Sequence, residues 1–251
     1  MRRHISVLML YIRSSVYRVL CLLALMACAE FLLFGQIMRG GTRKFPDGYS
    51  EELPYGLERI LDQSLLPWCF GLLAVLLTVQ LVYVGCNQGV KQSYTLQRLS
   101  ISEKSVFIWQ GICNMGFYFL LWMIQLVTAY ELCRWYLILA EPEFVSNQTI
   151  FLAFYRSKFL HGLLPLEESS IWVRNLFMVM GLGFASAYFP YLQRRGKFSV
   201  SVLLLLVICI IWFPREVGIA SGDFWVILCC AWVIGWIVYK VFIKGDEQDE
   251  T

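Results

Sequence analysis

Residues 65–86 read LLPWCFGLLAVLLTVQLVYVGC, an apolar run without a charged side chain. About 20 apolar residues in succession carry an α-helix across the hydrocarbon core of a bilayer, since each residue advances the helix by about 1.5 Å. A second run, residues 106–132, follows after a short polar stretch. Both are continuous, whereas the strands of a membrane β-barrel alternate polar and apolar residues. The chain therefore reads as an all-α membrane protein.

Working outward, further runs cover residues 19–37, 171–192, 199–213 and 224–243, which predicts six spans in one transmembrane domain over residues 1–251. Composition agrees. Hydrophobic residues make up 59% and charged residues 16%, against about 45–50% and about 25% in soluble domains. Arg2, Arg3, Arg13 and Arg18 precede the first run, and no small-residue cleavage site follows before Glu30, so the first span is expected to be retained. Residues 1–18 mix arginine with apolar residues. They suit an interfacial helix on anionic lipid, or a plain basic flank.

Loop charges predict the orientation. With the N-terminus inside, the cytoplasmic segments 1–18, 87–105, 193–198 and 240–251 hold 12 Lys/Arg in 55 residues. The outside segments 38–64, 133–170 and 214–223 hold 8 in 75. The positive-inside rule then places both termini in the cytoplasm of a multi-pass plasma-membrane protein. Trp68, Trp109, Trp122, Trp135, Trp172, Trp212 and Trp225 fall mostly near span ends, as an aromatic belt requires.

The outside segment 38–64 reads as a loop with a short helix near 55–63. Residues 144–165 are half apolar, but Arg156, Lys158 and His161 interrupt them. A seventh span there would force three ionisable groups into lipid, so an amphipathic helix on the outer surface is expected. Residues 213–225 read as a re-entrant turn or an external loop.

Inside the spans, Glu30 stands out. A carboxylate there costs about 2.5–3.5 kcal/mol on insertion scales, so it should face protein or water. It either lines a substrate path or binds a cation, or it pairs with a neighbouring helix. Arg174 is its one evident counter-charge within a span. Asn114 and Gln125 are the other candidates for a translocation path, with interhelical hydrogen bonding as the plainer use. Gly181 and Gly183 suit close helix packing, and Pro190 a kink.

Signatures of chemistry are lacking. There is no GxxxxGK[ST], HExxH or GxSxG. The nine cysteines form no CxxC, and with two histidines a metal site is not expected. No enzymatic role, no cofactor on this chain and no nucleic-acid partner are expected.

Between the second and third runs lies YTLQRLSISEKS, residues 94–105. Thr95 can cap a short amphipathic helix whose apolar residues are Leu96, Leu99 and Ile101. TLQRLSIS, residues 95–102, resembles the loop between spans 2 and 3 of ABC-2-type (type V) transporter permeases, which commonly runs TLE-x-L-L-x-x-P-[IV]-S-[RK]. The usual proline is Ser100 here, and Ser93-Tyr94 stand where an acid often precedes Thr-Leu. Chain length and span number are similar too. The resemblance implies a coupling helix whose residues Tyr94, Thr95, Leu96, Gln97, Arg98 and Leu99 dock on an ATP-binding cassette ATPase subunit. It also implies ATP hydrolysis on that separate chain, a second permease subunit as partner, and export as the commoner direction. The alternative is a stand-alone membrane protein: a secondary transporter, or a sensor or assembly factor using residues 133–170. No internal repeat supports the former. An integral membrane enzyme would want converging catalytic-type residues.

Overall fold

The computed structural model describes residues 2–39, 42–44, 50–52, 57, 60, 61, 64–86, 102–139, 146, 148–166, 168–213 and 220–243. The helices are α1 (Arg2–Arg39), α2 (Leu66–Cys86), α3 (Glu103–Leu139), α4 (Thr149–Arg156), α5 (Lys158–Leu163), α6 (Ser169–Gln193), α7 (Ser201–Trp212) and α8 (Ala220–Phe242). Five of them, α1, α2, α3, α6 and α8, are long and apolar enough to cross a membrane. The protein is thus a helical membrane protein. Of the expected coupling helix, residues 94–105, residues 94–101 with the contact residues 94–99 lie outside the described residues, and Glu103–Ser105 form the start of α3.

Side-chain pairs fix the direction of each helix. Tyr11 meets Asn114 and Glu30 meets Gln125, so α1 and α3 run parallel. Trp172 stacks near Trp122 while Tyr191 lies against Phe107, so α6 runs antiparallel to α3. Asp223 binds Arg174, and Lys104 reaches the Phe242 carbonyl, so α8 also descends against α3. The bundle therefore has an Arg174 end and a Glu103 end.

Two expectations are corrected. Residues 1–18 do not form a separate interfacial helix. No proline or glycine interrupts residues 2–34, and one 38-residue helix results. Tyr11 and Ser15 are buried, which commits this part of α1 to the bundle. Second, residues 144–165 are not one surface helix. The chain breaks at Ser157, whose hydroxyl caps α5 by accepting from the Leu160 N–H, and α5 is buried through Phe159–Leu163. Segment 199–213 forms α7, a helix of 12 residues and about 18 Å, shorter than the five long helices, and Phe213 after it lies against Trp122. Helix α7 lies between α6, which ends at the Glu103 end, and α8, which begins at the Arg174 end.

Segment 38–64 contains a two-stranded antiparallel pair, β1 (Thr42–Lys44) and β2 (Ser50–Glu52), where a loop was expected. Leu57, Ile60 and Leu61 are helical and buried, in keeping with the short helix read near 55–63.

Helices α3 and α6 pack backbone against backbone at glycines. A Cβ at Gly183 would lie 2.7 Å from the Met115 backbone, and one at Gly111 would lie 2.8 Å from the Phe184 ring. The glycines let the two backbones touch, which is the packing use expected of Gly183.

Candidate functional site

At the Arg174 end, the second turn of α6 and the first turn of α8 bring a buried charge pair together. Arg174 Nη1 donates to Asp223 Oδ1 at 2.7 Å, and both side chains are essentially inaccessible. Asp223 lies in the first turn of α8, where the helix dipole favours an anion. Its second oxygen accepts from Ser170 Oγ at 3.3 Å. Arg174 Nε and Nη2 donate to Asn175 Oδ1, and Asn175 Nδ2 donates to the Gly162 carbonyl at 2.8 Å. That last bond ties α5 to the charge pair. Two indoles complete the attachment: Trp122 Nε1 donates to Leu163 O and Trp172 Nε1 to Pro165 O. Trp122 is therefore buried beneath α5 rather than placed in an aromatic belt.

Arg174 is thus the partner of Asp223 and not of Glu30. Glu30 Oε2 instead accepts from Gln125 Nε2 at 3.0 Å, between α1 and α3, and both residues are fully buried. Glu30 Oε1 and Gln125 Oε1 have no hydrogen-bond partner among the described residues. A buried carboxylate with one neutral donor is costly, so Glu30 is the least compensated carboxylate among the described residues.

Asn114 belongs to a different cluster. Its Oδ1 accepts from Tyr11 Oη at 2.8 Å, its Nδ2 donates to Ser186 Oγ at 2.8 Å, and Ser186 Oγ donates to Gly183 O. This chain joins α1, α3 and α6 at the glycine contact. Thr78 and Tyr118 hydroxyls share a bond of 2.8 Å between α2 and α3. Glu30 and Gln125 are therefore brought together, and Asn114 is held apart from them. Tyr11, Ser186 and Asp223 are the site residues that sequence reading missed.

A small cavity of about 30 Å³ lies between α2, α3, α6 and α7, lined by Phe70, Tyr118, Trp122, Met178 and Phe213 among others. It holds about one water-sized volume. Among the described residues no group of three His, Cys, Asp or Glu side chains converges as a metal site would, and the cysteines are unbridged.

The Glu103 end is built differently. Arg195, in the turn after α6, meets Glu103 of the first α3 turn at 3.4 Å, and the Glu103 side chain is 52% exposed. Lys104 Nζ donates to the last-turn carbonyl of Phe242 on α8 at 3.4 Å. Beside these ties is an open cavity of about 610 Å³, lined by residues of α6, α7, α8 and the 195–200 connection. Protein-family models, curated proteins and solved structures contain no match to this chain.

Proposed function

We propose that the chain is the transmembrane permease subunit of an ATP-driven ABC transporter of the ABC-2 type, an exporter. In this reading it works with separate ATP-binding cassette ATPase subunits and a second permease, identical or related. The observation that supports it is the anchorage of the first turn of α3. Glu103 and Lys104, which follow directly on the YTLQRLSIS stretch, are tied to Arg195 beyond α6 and to the end of α8. A push on residues 94–99 is then passed to three long helices at once. Tyr94, Thr95, Leu96, Gln97, Arg98 and Leu99 form the cassette contact. The Glu103 end faces the cytoplasm of the plasma membrane, as the loop charges favour, and the α7 segment is counted as the sixth crossing. Glu30 and Gln125, with their uncompensated oxygens, are the groups of this reading that meet cargo, and Asn114 holds the helices together.

The test is a pull-down of the detergent-solubilised protein from its native membrane, scored for a co-purifying chain with a Walker A motif. An Arg98→Glu/Leu99→Asp variant is compared. The reading expects an ATPase with the native chain and at least a tenfold loss with the variant at unchanged elution volume. No ATPase with the native chain rejects it and leaves the stand-alone readings.

A further inference from the structure

The cavity at the Glu103 end has a chemistry that the bundle core does not use, and it shares only Arg195 with the transport reading. Its wall carries three cations, Arg195, Lys197 and Lys240, and no acidic residue among the described lining side chains. Two of the cations are held over aromatic rings. The Arg195 guanidinium carbon lies 4.6 Å from the Tyr191 ring centroid, and Lys240 Nζ lies 4.9 Å from that of Trp236. Such stacking fixes the direction of a cationic head, and Arg195 also donates through Nε and Nη2 to Glu103 at 3.4 Å.

The cavity exists because α7 starts late. Residues 197–200 are not helical, and α7 begins at Ser201, where Ser199 Oγ accepts from the Ser201 N–H. The first-turn N–H groups of a helix favour an anion, and here they sit on the same wall as the three cations.

The rim then turns apolar. Val200, Leu203, Leu204, Val207 and Ile211 follow the spacing i, i+3, i+4, i+7, i+11, and all five are exposed. They form one stripe, about 16 Å long by the helical rise, leading from the cavity along α7. On α8, Trp232 and Trp236 are exposed one turn apart, in line with Lys240. A cationic bowl continued by an apolar stripe matches a molecule with a phosphate head and acyl chains. A free anion leaves the stripe unused, and a zwitterionic lipid brings no net charge to three cations.

We propose that this cavity is a binding site for an anionic glycerophospholipid. The phosphate contacts Arg195, Lys197 and Lys240, and an acyl chain lies along α7. A volume of about 610 Å³ is within the range of ligand sites, and basic pockets between membrane helices hold lipid head groups. The proposal stands independently of the transport reading.

Native mass spectrometry of the detergent-solubilised full chain tests it, with phosphatidylglycerol and phosphatidylcholine of identical acyl chains titrated separately. The expected result is at least tenfold tighter retention of phosphatidylglycerol. An Arg195→Gln/Lys240→Gln variant should lose that preference, Arg195→Lys/Lys240→Arg should keep it, and Arg134→Gln at the far end of α3 should leave it unchanged. Equal retention of the two lipids by the wild type overturns the proposal, whatever the variants do. Preference that survives in the Gln/Gln variant overturns the site. Displacement of phosphatidylglycerol by millimolar inorganic phosphate shows a free-phosphate site and overturns the lipid assignment.

Discussion

The two ends of the bundle are held by opposite means. At the Arg174 end, a fully buried ion pair is satisfied by Ser170 and Asn175, roofed by α5 and pinned by two indoles. At the Glu103 end, the ties are one half-exposed ion pair and one lysine–carbonyl bond, both at 3.4 Å, next to a wide cavity. Buried pairs are expensive to break because a lone charge remains, whereas exposed pairs contribute roughly 0–1 kcal/mol. The difference teaches where this protein resists movement and where it permits it.

The contrast can be broken most sharply at the buried pair. Arg174→Met should cost about 3–5 kcal/mol by stranding Asp223, and Arg174→Met/Asp223→Leu should recover much of the loss. Thermal unfolding in detergent, followed by fluorescence-detected gel filtration, measures both. A single-variant loss no larger than that of Arg195→Gln would erase the distinction between the ends.

Gly183→Val comes next. It drives a side chain into the Met115 backbone, so about 1–3 kcal/mol should be lost in the same assay. Trp122→Phe should cost about 0.5–1.5 kcal/mol by removing the bond to Leu163 O. It should also speed proteolysis within residues 157–166 in a limited-digestion time course. The smallest effect is expected at the open end: Arg195→Gln should lower stability by at most about 1 kcal/mol, and less at high salt. A larger loss there would make the Glu103 end as rigid as the other.

What was legible in the sequence was whatever hydropathy encodes. The runs at 65–86 and 106–132 became α2 and most of α3, because lipid demands uninterrupted apolar helix. Gly183 was legible as a packing residue for the same reason of local chemistry. Pairings were not. Glu30 and Gln125 are 95 positions apart, and Arg174 and Asp223 are 49 apart. No periodicity relates them, so Asp223 was not legible as the partner of Arg174. Segment 199–213 was legible as an apolar helix, and α7 covers Ser201–Trp212 of it, but apolarity does not report that residues 197–200 stay unwound. The aromatic-belt reading of Trp122 failed because its indole N–H found a carbonyl on α5, a segment that was expected to lie on the surface.

The glycine contact has a mechanical corollary. Met115, pressed against Gly183, lies 12 residues from Glu103 and 24 from Leu139. At about 1.5 Å per residue the two arms measure about 18 Å and 36 Å. A stiff rod turning on that fulcrum has a gearing near two: about 1 Å of displacement where α3 begins becomes about 2 Å, in the opposite direction, where it ends. Trp135 on the long arm presses on Phe31 and Phe34 of α1, close to Glu30. Strokes too small to open the roofed end directly would therefore be felt first in the seam that holds the least compensated carboxylate.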